Sequence, residues 1–590
     1  MRFLGNVFST VIGLFVFVFL LFAFFIFVGM VGSLSEQKVT VADNSVLRLQ
    51  LNQSIQERIE QENPFEEFGF LMPNADFPIG LIELKKAIAD AKNDDNIQGI
   101  YLDMSSTSAG FSTLQEIRES LQDFKSSGKF IVAYGEFLSE GAYYIASVAD
   151  EVYVNPIGFM EFNGFSSQVM FFTGMFEKLG IKAEIFKVGD FKSAVEPFFR
   201  KDMSEENRLQ MEVYLNTLHE IFLRNISESR KIEMDVLKKV TNDYLIETTS
   251  DAVKFGLVDK AAYFDEVGGI LREKLGLDED DKINFISLRK YQRATKNTGV
   301  KYNEKKVAVI VAEGTIVSGE GAEGYIGSDK IAAEIRKART NDNIKAIVLR
   351  VNSPGGSMVA SDVIWREVEL AREAKPIIAS MSDLAASGGY YISMACDTIV
   401  ARENTITGSI GIFSVLLNTE ELLTDKIGLS FDEVKTGKFA DLGNPTEEMT
   451  EEEKAIFQRS VERGYEIFIN KVADGRGMQP DEVKKVASGR VWAGAQANQN
   501  GLVDVIGGLD KSIEIAAGMA NLEEGDYQVR YYPQKKDFWT AFMENSQIYF
   551  SNYFMKKELG EVYPIIKKVK ELKQMEGEVQ ALLPYDFKLK

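Results

Sequence analysis

The sequence predicts an α/β protein of two tandem domains with largely parallel sheets, preceded by a single membrane-spanning helix. Three observations carry that expectation. Short β-branched runs alternate with segments of helical spacing, the chain repeats itself at an offset of about 247 residues, and a long uncharged stretch lies near its start.

From Val7 to Val31 there are 25 residues without a charge, many of them Phe, Val and Leu. At about 1.5 Å per residue such a helix spans roughly 37 Å, enough for a hydrocarbon core of about 30 Å. The run is longer than the apolar part of a cleavable signal peptide, and Met30 to Ser35 offers only a weak exit site. The reading is an uncleaved anchor. Arg2 precedes the span, so the positive-inside rule keeps the first residues cytoplasmic and sends the body across the membrane.

The repeat is visible in three places. Asn96-Ile97-Gln98-Gly99-Ile100 returns as Asn343-Ile344-Lys345-Ala346-Ile347. Tyr143-Tyr144-Ile145-Ala146-Ser147-Val148-Ala149-Asp150 returns as Tyr390-Tyr391-Ile392-Ser393-Met394-Ala395-Cys396-Asp397. Gly256-Leu257-Val258-Asp259 returns as Gly501-Leu502-Val503-Asp504. A fixed period of this kind marks duplicated structural units. The predicted organisation is 1–43 for the stub and anchor, 44–270 for the first repeat, and 271–305 for a charged linker or extension. The second repeat follows at 306–525, and a helical C-terminal tail at 526–590.

Within the second repeat, Val307 to Ala312 is apolar and β-branched, as a buried strand is. Ile331, Ile335 and Ala338 have helical spacing. Ile344 to Val351 is the next strand, followed by the loop Asn352-Ser353-Pro354-Gly355-Gly356-Ser357 and a helix holding Val363, Ile364, Val368 and Leu370. Ile377 to Ser380 is a third strand and leads into Ala385-Ala386-Ser387-Gly388-Gly389. Strands alternating with helices are the pattern of parallel α/β sheets.

Composition narrows the chemistry. The chain has one histidine, His219, and one cysteine, Cys396, so no histidine-rich metal site, zinc cluster or internal disulfide is available. No cofactor and no metal are expected. His219 lies in a mid-helix context, and Cys396 falls about 180° around a helix from Ser387. The formal charge of −21, from 67 Lys+Arg against 88 Asp+Glu, argues against nucleic acid as a partner.

Two segments of the second repeat suit an acyl oxyanion. In Ser353-Pro354-Gly355-Gly356, at the end of a strand, successive glycines let backbone N–H groups approach a ligand. Ser387 opens a helix with Gly388 and Gly389 behind it, where unpaired N–H groups collect. Each alone also reads as an ordinary Pro-Gly turn or an N-cap serine. The repeat comparison separates the readings. Glu140 stands in the first repeat where Ser387 stands in the second, and Ser105-Ser106-Thr107-Ser108-Ala109 replaces the glycine loop. Conversely Lys187-Val188-Gly189-Asp190-Phe191-Lys192 aligns with Lys435-Thr436-Gly437-Lys438-Phe439-Ala440, so Lys192 faces Ala440. A serine on one repeat and a lysine on the other suggest one composite site. A serine nucleophile without histidine needs a neutral lysine as base. Being half neutral near pH 7.5 requires a pKa drop of about 3 units, roughly 4 kcal/mol, which an apolar burial supplies.

Four segments resemble one family. Phe191-Lys192-Ser193-Ala194-Val195-Glu196-Pro197-Phe198, Asn352 to Gly356, Ala385-Ala386-Ser387-Gly388-Gly389-Tyr390-Tyr391 and Thr407-Gly408-Ser409-Ile410-Gly411 are similar to the signal peptide peptidase A (protease IV) family in its long, two-repeat form, over roughly residues 1–525. The resemblance implies two Clp protease/crotonase-like domains and a membrane-anchored serine protease with a Ser/Lys dyad. Its substrates would be signal peptides and other hydrophobic peptides. It implies Ser387 as nucleophile, Lys192 as general base and Ser409 orienting the lysine, with Gly355, Gly356 and Gly388 in the oxyanion hole. It also implies a homotetramer in the bacterial plasma (inner) membrane, the catalytic body on the extracytoplasmic, periplasmic side. Two rivals follow from the same scaffold: a non-catalytic membrane-anchored scaffold protein, and a crotonase-like acyl-CoA enzyme, for which Glu140 would have to stand beside Ser387. The dyad reading expects Lys192 Nζ within about 2.6–3.5 Å of Ser387 Oγ.

Overall fold

The computed structural model describes residues 12–17, 19–20, 39–59, 78–296, 303–322, 324–535 and 579–582. The predicted span at 7–31 lies largely outside them. Among the described residues no helix is long and apolar enough to cross a membrane.

Each repeat is built on its own sheet, wholly parallel in the first and, apart from the antiparallel edge strand Val491–Ala493, parallel in the second. In the first, six strands run in the spatial order Lys260–Ala261, Glu151–Met160, Phe130–Leu138, Ile97–Asp103, Ser45–Leu49, Asn284–Ser287, all parallel. In the second, Ile377–Ala386, Ile344–Ser353, Lys306–Glu313 and Gln528–Tyr532 are parallel neighbours. Thr398–Ala401 and Ile406–Gly408 both join the far side of Ile377–Ala386. Helices cover the sheets through apolar faces. Leu114, Ile117, Leu121 and Phe124 of Phe111–Lys125 are fully buried, as are Ile364, Val368 and Ala371 of Met358–Ala374. Spacings of three and four residues put those side chains on one face. Val363, included in the predicted face, is exposed because it lies one residue off that stripe.

The duplicated motifs hold the same joints twice. Tyr143 donates its hydroxyl to Leu257 O at 2.7 Å, and Tyr390 donates to Leu502 O at 3.0 Å. Asp259 accepts from Val152 N–H and Asp504 from Ile399 N–H, both at 2.7 Å. The shared tyrosine and Gly-Leu-Val-Asp segments therefore tie the helix after the third strand, and the strand that follows it, to the end of each unit.

Three predicted boundaries change. The charged stretch at 271–305 is no mere linker: Asn284–Ser287 pairs with Ser45–Leu49 and closes the first sheet, and Gln528–Tyr532 does the same beyond residue 525 in the second. Gln528–Tyr532 and Gln580–Leu582 in the tail are strands, and the rest of the tail read as helical lies largely outside the described residues. The third change bears on function. Lys182–Lys187, within the first repeat by sequence, pairs antiparallel with Phe413–Asn418 of the second. It is the edge of a small sheet ordered Tyr325–Gly327, Thr315–Val317, Gly355–Ser357, Gln580–Leu582, Phe413–Asn418, Lys182–Lys187.

A buried ionic cluster fixes the repeats to each other. Arg350 of the second repeat is fully buried, and its guanidinium donates to Glu57 and Glu116 of the first at 2.8 Å each and to Ser382 at 2.9 Å. Thr113 N–H donates to Asp383 at 2.8 Å across the same junction, and Ser112 to Asn404 at 2.8 Å. Such a cluster tolerates little relative movement, because any exposed gap leaves a buried charge unpaired.

Candidate active site

The junction brings Lys192 to Ser387. Ile377–Ala386 ends at Ser387, and the helix Gly388–Ser393 starts immediately after it. Ser387 holds φ +56°, ψ −112°, a conformation side chains rarely adopt. Its N–H is anchored on Gly408 O at 2.8 Å, and its hydroxyl does not cap the helix that follows. The hydroxyl is therefore turned away from the ordinary N-cap use.

Lys192 arrives from the other repeat, on the turn after Lys182–Lys187. It is 1% exposed, and its Nζ donates to Ser387 Oγ at 2.8 Å, to Ser409 Oγ at 3.1 Å and to Ser409 O at 3.2 Å. None of these partners is a carboxylate, so nothing offsets the loss of water around the ammonium. Burial lowers the lysine from its ordinary 10.5 to about 7. Phe413 lines one side, with its ring centre 5.9 Å from Nζ. Ser409, with φ +49°, is pinned by its N–H on Arg490 O at 2.7 Å.

The glycine loop lies alongside. Gly356 and Gly388 pack so closely that a β-carbon on Gly388 would come 3.0 Å from Gly356 N. Gly355 departs from expectation: its N–H donates to Ser353 Oγ at 3.1 Å. With that donor engaged, Gly355 supplies the φ of +100° that turns the loop, and the donors left to consider are those of Gly356, which pairs with Ala581 in the small sheet, and Gly388.

Glu140 does not approach Ser387. Its carboxylate accepts from Asn163 N–H at 2.8 Å and Gly164 N–H at 2.7 Å inside the first repeat, and burial raises it to about 7. His219 lies within the helix Glu205–Arg230, edge-on to Phe165, and Cys396 is buried in the second core.

Sequence reasoning missed a collar around the lysine. A β-carbon on Gly489 would meet Lys192 Cβ and N at 2.6 Å, so only glycine fits there. Phe191 N–H donates to Ser488 O at 3.1 Å, and Gln210 bridges the collar by donating to Ser193 Oγ at 2.8 Å and accepting from Val491 N–H at 3.2 Å. The signal available was Ser488-Gly489, a small pair before Arg490, which by itself reads as any turn.

Comparison with known proteins gives the family. The model of a family described as Peptidase family S49 matches residues 123–278 and, a second time, 369–523. The chain belongs to peptidase family S49. Protease 4 of Salmonella typhi is 37% identical over 479 residues, 79% of this chain and 76% of its own. Protease 4 of Haemophilus influenzae is 35% identical over 514 residues, 84% and 82% of the two chains. The chloroplastic serine protease SPPA of Arabidopsis thaliana is 36% identical over 452 residues, 75% and 66%. This S49 chain is a serine protease with two tandem family domains.

Proposed function

We propose that the protein is a membrane-anchored serine endopeptidase that degrades cleaved signal peptides through a Ser387/Lys192 dyad. The observation that carries the reading is the 2.8 Å contact between Lys192 Nζ and Ser387 Oγ, made across the two repeats in a site without carboxylates. Neutral Lys192 takes the Ser387 proton as Oγ attacks a peptide carbonyl. The Gly356 and Gly388 N–H groups hold the oxyanion, and the lysine returns its proton to the leaving amine. Water, deprotonated by the same lysine, then frees the acyl group. Ser409 is a positioning residue: its two oxygens fix Nζ without removing its lone pair.

The parallel sheets with a small crossing sheet suit a Clp protease/crotonase-like scaffold. The uncharged run at 7–31 supports a single-pass anchor in the bacterial inner membrane, with the body on the periplasmic side, and the family resemblance supports a homotetramer. Hydrophobic signal-peptide fragments are substrates such an anchor would meet. The acyl-CoA reading is disfavoured by Glu140 lying away from Ser387.

The test is hydrolysis of a fluorogenic signal-peptide segment in detergent micelles. Ser387→Ala and Lys192→Ala should each lose about 10⁴-fold in kcat/KM, and the double variant should lose no more than either, because the two groups act as a unit. Full activity in either single variant would overturn the dyad. In the wild type, kcat/KM should rise with pH along a limb centred near 7, as Lys192 gives up its proton. A flat profile from pH 6 to 9 would assign the base elsewhere.

A further inference from the structure

Lys192 and Ser387 come from different repeats, so their 2.8 Å contact needs the turn carrying the lysine to be registered against the backbone that anchors the serine. One buried side chain touches both. Gln210, on the helix Glu205–Arg230 and 3% exposed, donates through Nε2 to Phe191 O at 3.2 Å and to Ser193 Oγ at 2.8 Å, the residues on either side of Lys192. Its Oε1 accepts from Val491 N–H at 3.2 Å in the second repeat. Val491 stands opposite Gly408, whose carbonyl receives the Ser387 N–H, and the neighbouring Arg490 carbonyl receives the Ser409 N–H. From Gln210 the backbone leads one way to the ammonium and the other way to both hydroxyls that the ammonium meets.

The Gln210 amide can sit only one way round. Phe191 O can only accept and Val491 N–H can only donate, so exchanging the amide oxygen and nitrogen would break both bonds. Its polarity is set a second time from behind. Glu196, 1% exposed, accepts from Ser204 N–H at 3.2 Å, from the Ser204 hydroxyl and from Asn207 Nδ2 at 2.7 Å, and no cation is paired with it among the described residues. A carboxylate only accepts, so it turns the Asn207 nitrogen toward itself and leaves the Asn207 oxygen for Gln210 Nε2, 3.4 Å away. Burying a carboxylate is tolerable only while such donors hold it, which keeps this chain of bonds in register.

The second repeat supplies the contrast. Ser204 and Thr450 cap corresponding helices, Glu205–Arg230 and Glu451–Arg476. Counted from those caps, Gln210 falls on Ile456 and Asn207 on Glu453. The copy with Ala440 in place of Lys192 lacks both amides as well.

We propose that Gln210 is the positioning residue that registers Lys192 against Ser387 across the junction, with Glu196 fixing its orientation through Asn207. The inference rests on the Ser387/Lys192 reading. Gln210 bonds to neither Lys192 Nζ nor Ser387 Oγ. It holds the lysine turn and the serine's backbone anchor at one separation, so that Nζ stays within reach of the Oγ proton.

The test is hydrolysis of a fluorogenic signal-peptide segment by the full chain in detergent micelles. Gln210→Met keeps the size of the side chain and removes its bonds. At pH 9, where Lys192 is neutral, kcat should fall about 10²-fold with KM unchanged. The rising limb of kcat should also move above 7, as water reaches a less firmly seated Nζ. Tyr143→Phe, which removes a buried bond away from the dyad, controls for lost stability: it should lower the melting temperature and change neither reading. Glu196→Leu should repeat the Gln210→Met pattern at about tenfold, and Glu196→Gln, which can still accept from Asn207, should recover most of that loss. This pair decides the matter should Gln210→Met fail to fold. An unimpaired kcat in Gln210→Met overturns the proposal. So does a loss in which KM rises in step or the limb stays near 7, since either makes the side chain part of the packing only. If Lys192→Ala is fully active, the dyad reading itself has failed. If Lys192→Ala is inactive while Gln210→Met is unimpaired, only the positioning role fails.

Discussion

At the same strand-to-helix connection the two repeats take different courses. In the first, Ser139 caps its helix with a side-chain bond to Ala142 N–H, and Glu140 follows in the first turn. In the second the helix starts one position later, Ser387 takes the capping place without capping, and its backbone is forced to φ +56°. The scaffold can hold this connection relaxed. It is strained only in the copy where a hydroxyl must stand clear of the helix, at a cost of about 1–3 kcal/mol. A second contrast runs the other way. Lys182–Lys187 of the first repeat is a paired strand that delivers Lys192, while the aligned segment around Leu429 to Leu442 has no strand and exposes Val434 to 96%. Each repeat has kept one half of the site and given up the other.

That division can be tested from its largest consequence downward. Lys192 binds its proton more weakly folded, at about 7, than unfolded, at 10.5. Its penalty is therefore full below pH 7 and fades as pH rises toward 10.5. It amounts to at most about 5 kcal/mol, less what the bonds to Ser387 and Ser409 return. Lys192→Met should raise the melting temperature at pH 7 and give a much smaller gain at pH 10; a gain independent of pH would mean the lysine is not held neutral. Ala440→Lys, at the exposed aligned position, should change stability little at either pH.

Removing the guanidinium that joins the repeats should cost somewhat less. Arg350→Leu leaves Glu57 in the interior without a cation, while Glu116 keeps Lys85 at 2.5 Å, and should destabilise by about 3–5 kcal/mol in urea unfolding. Peptidase activity should fall along with the stability, since Lys192 and Ser387 stand on opposite sides of that junction. Unchanged unfolding would mean the cluster is solvated. The smallest effects compare the twin joints directly. Tyr143→Phe and Tyr390→Phe each remove one hydroxyl bond to a leucine carbonyl and should each cost about 1 kcal/mol. Only the second, on the helix behind Ser387, should also reduce kcat. Equal kinetic loss from both would show the repeats to be coupled more tightly than this contrast implies.

Much of this was legible beforehand, and the reason is locality. Strand runs such as Val307 to Ala312, the face of Ile331, Ile335 and Ala338, and the placement of Ser387 against Glu140 all show in short windows or in one alignment. Pairings between distant segments leave no such trace. Nothing in the sequence of Lys182–Lys187 names Phe413–Asn418 as its partner. Arg350 lies in an apolar strand whose carboxylate partners, Glu57 and Glu116, come from the other repeat, and Gly489 shows its purpose only against Lys192. The edge strand Asn284–Ser287 was hidden by the charged residues before it.

The lent strand Lys182–Lys187 also sets how many working centres a given mass of protein can hold. Were the repeats identical and separate, every junction between neighbours would bring a serine to a lysine. On the proposed dyad, two fused and diverged repeats yield one armed junction, and the complementary positions, the buried Glu140 on one copy and the exposed segment near Ala440 on the other, are released from chemistry. On that reading, half the catalytic density is exchanged for positions free to specialise.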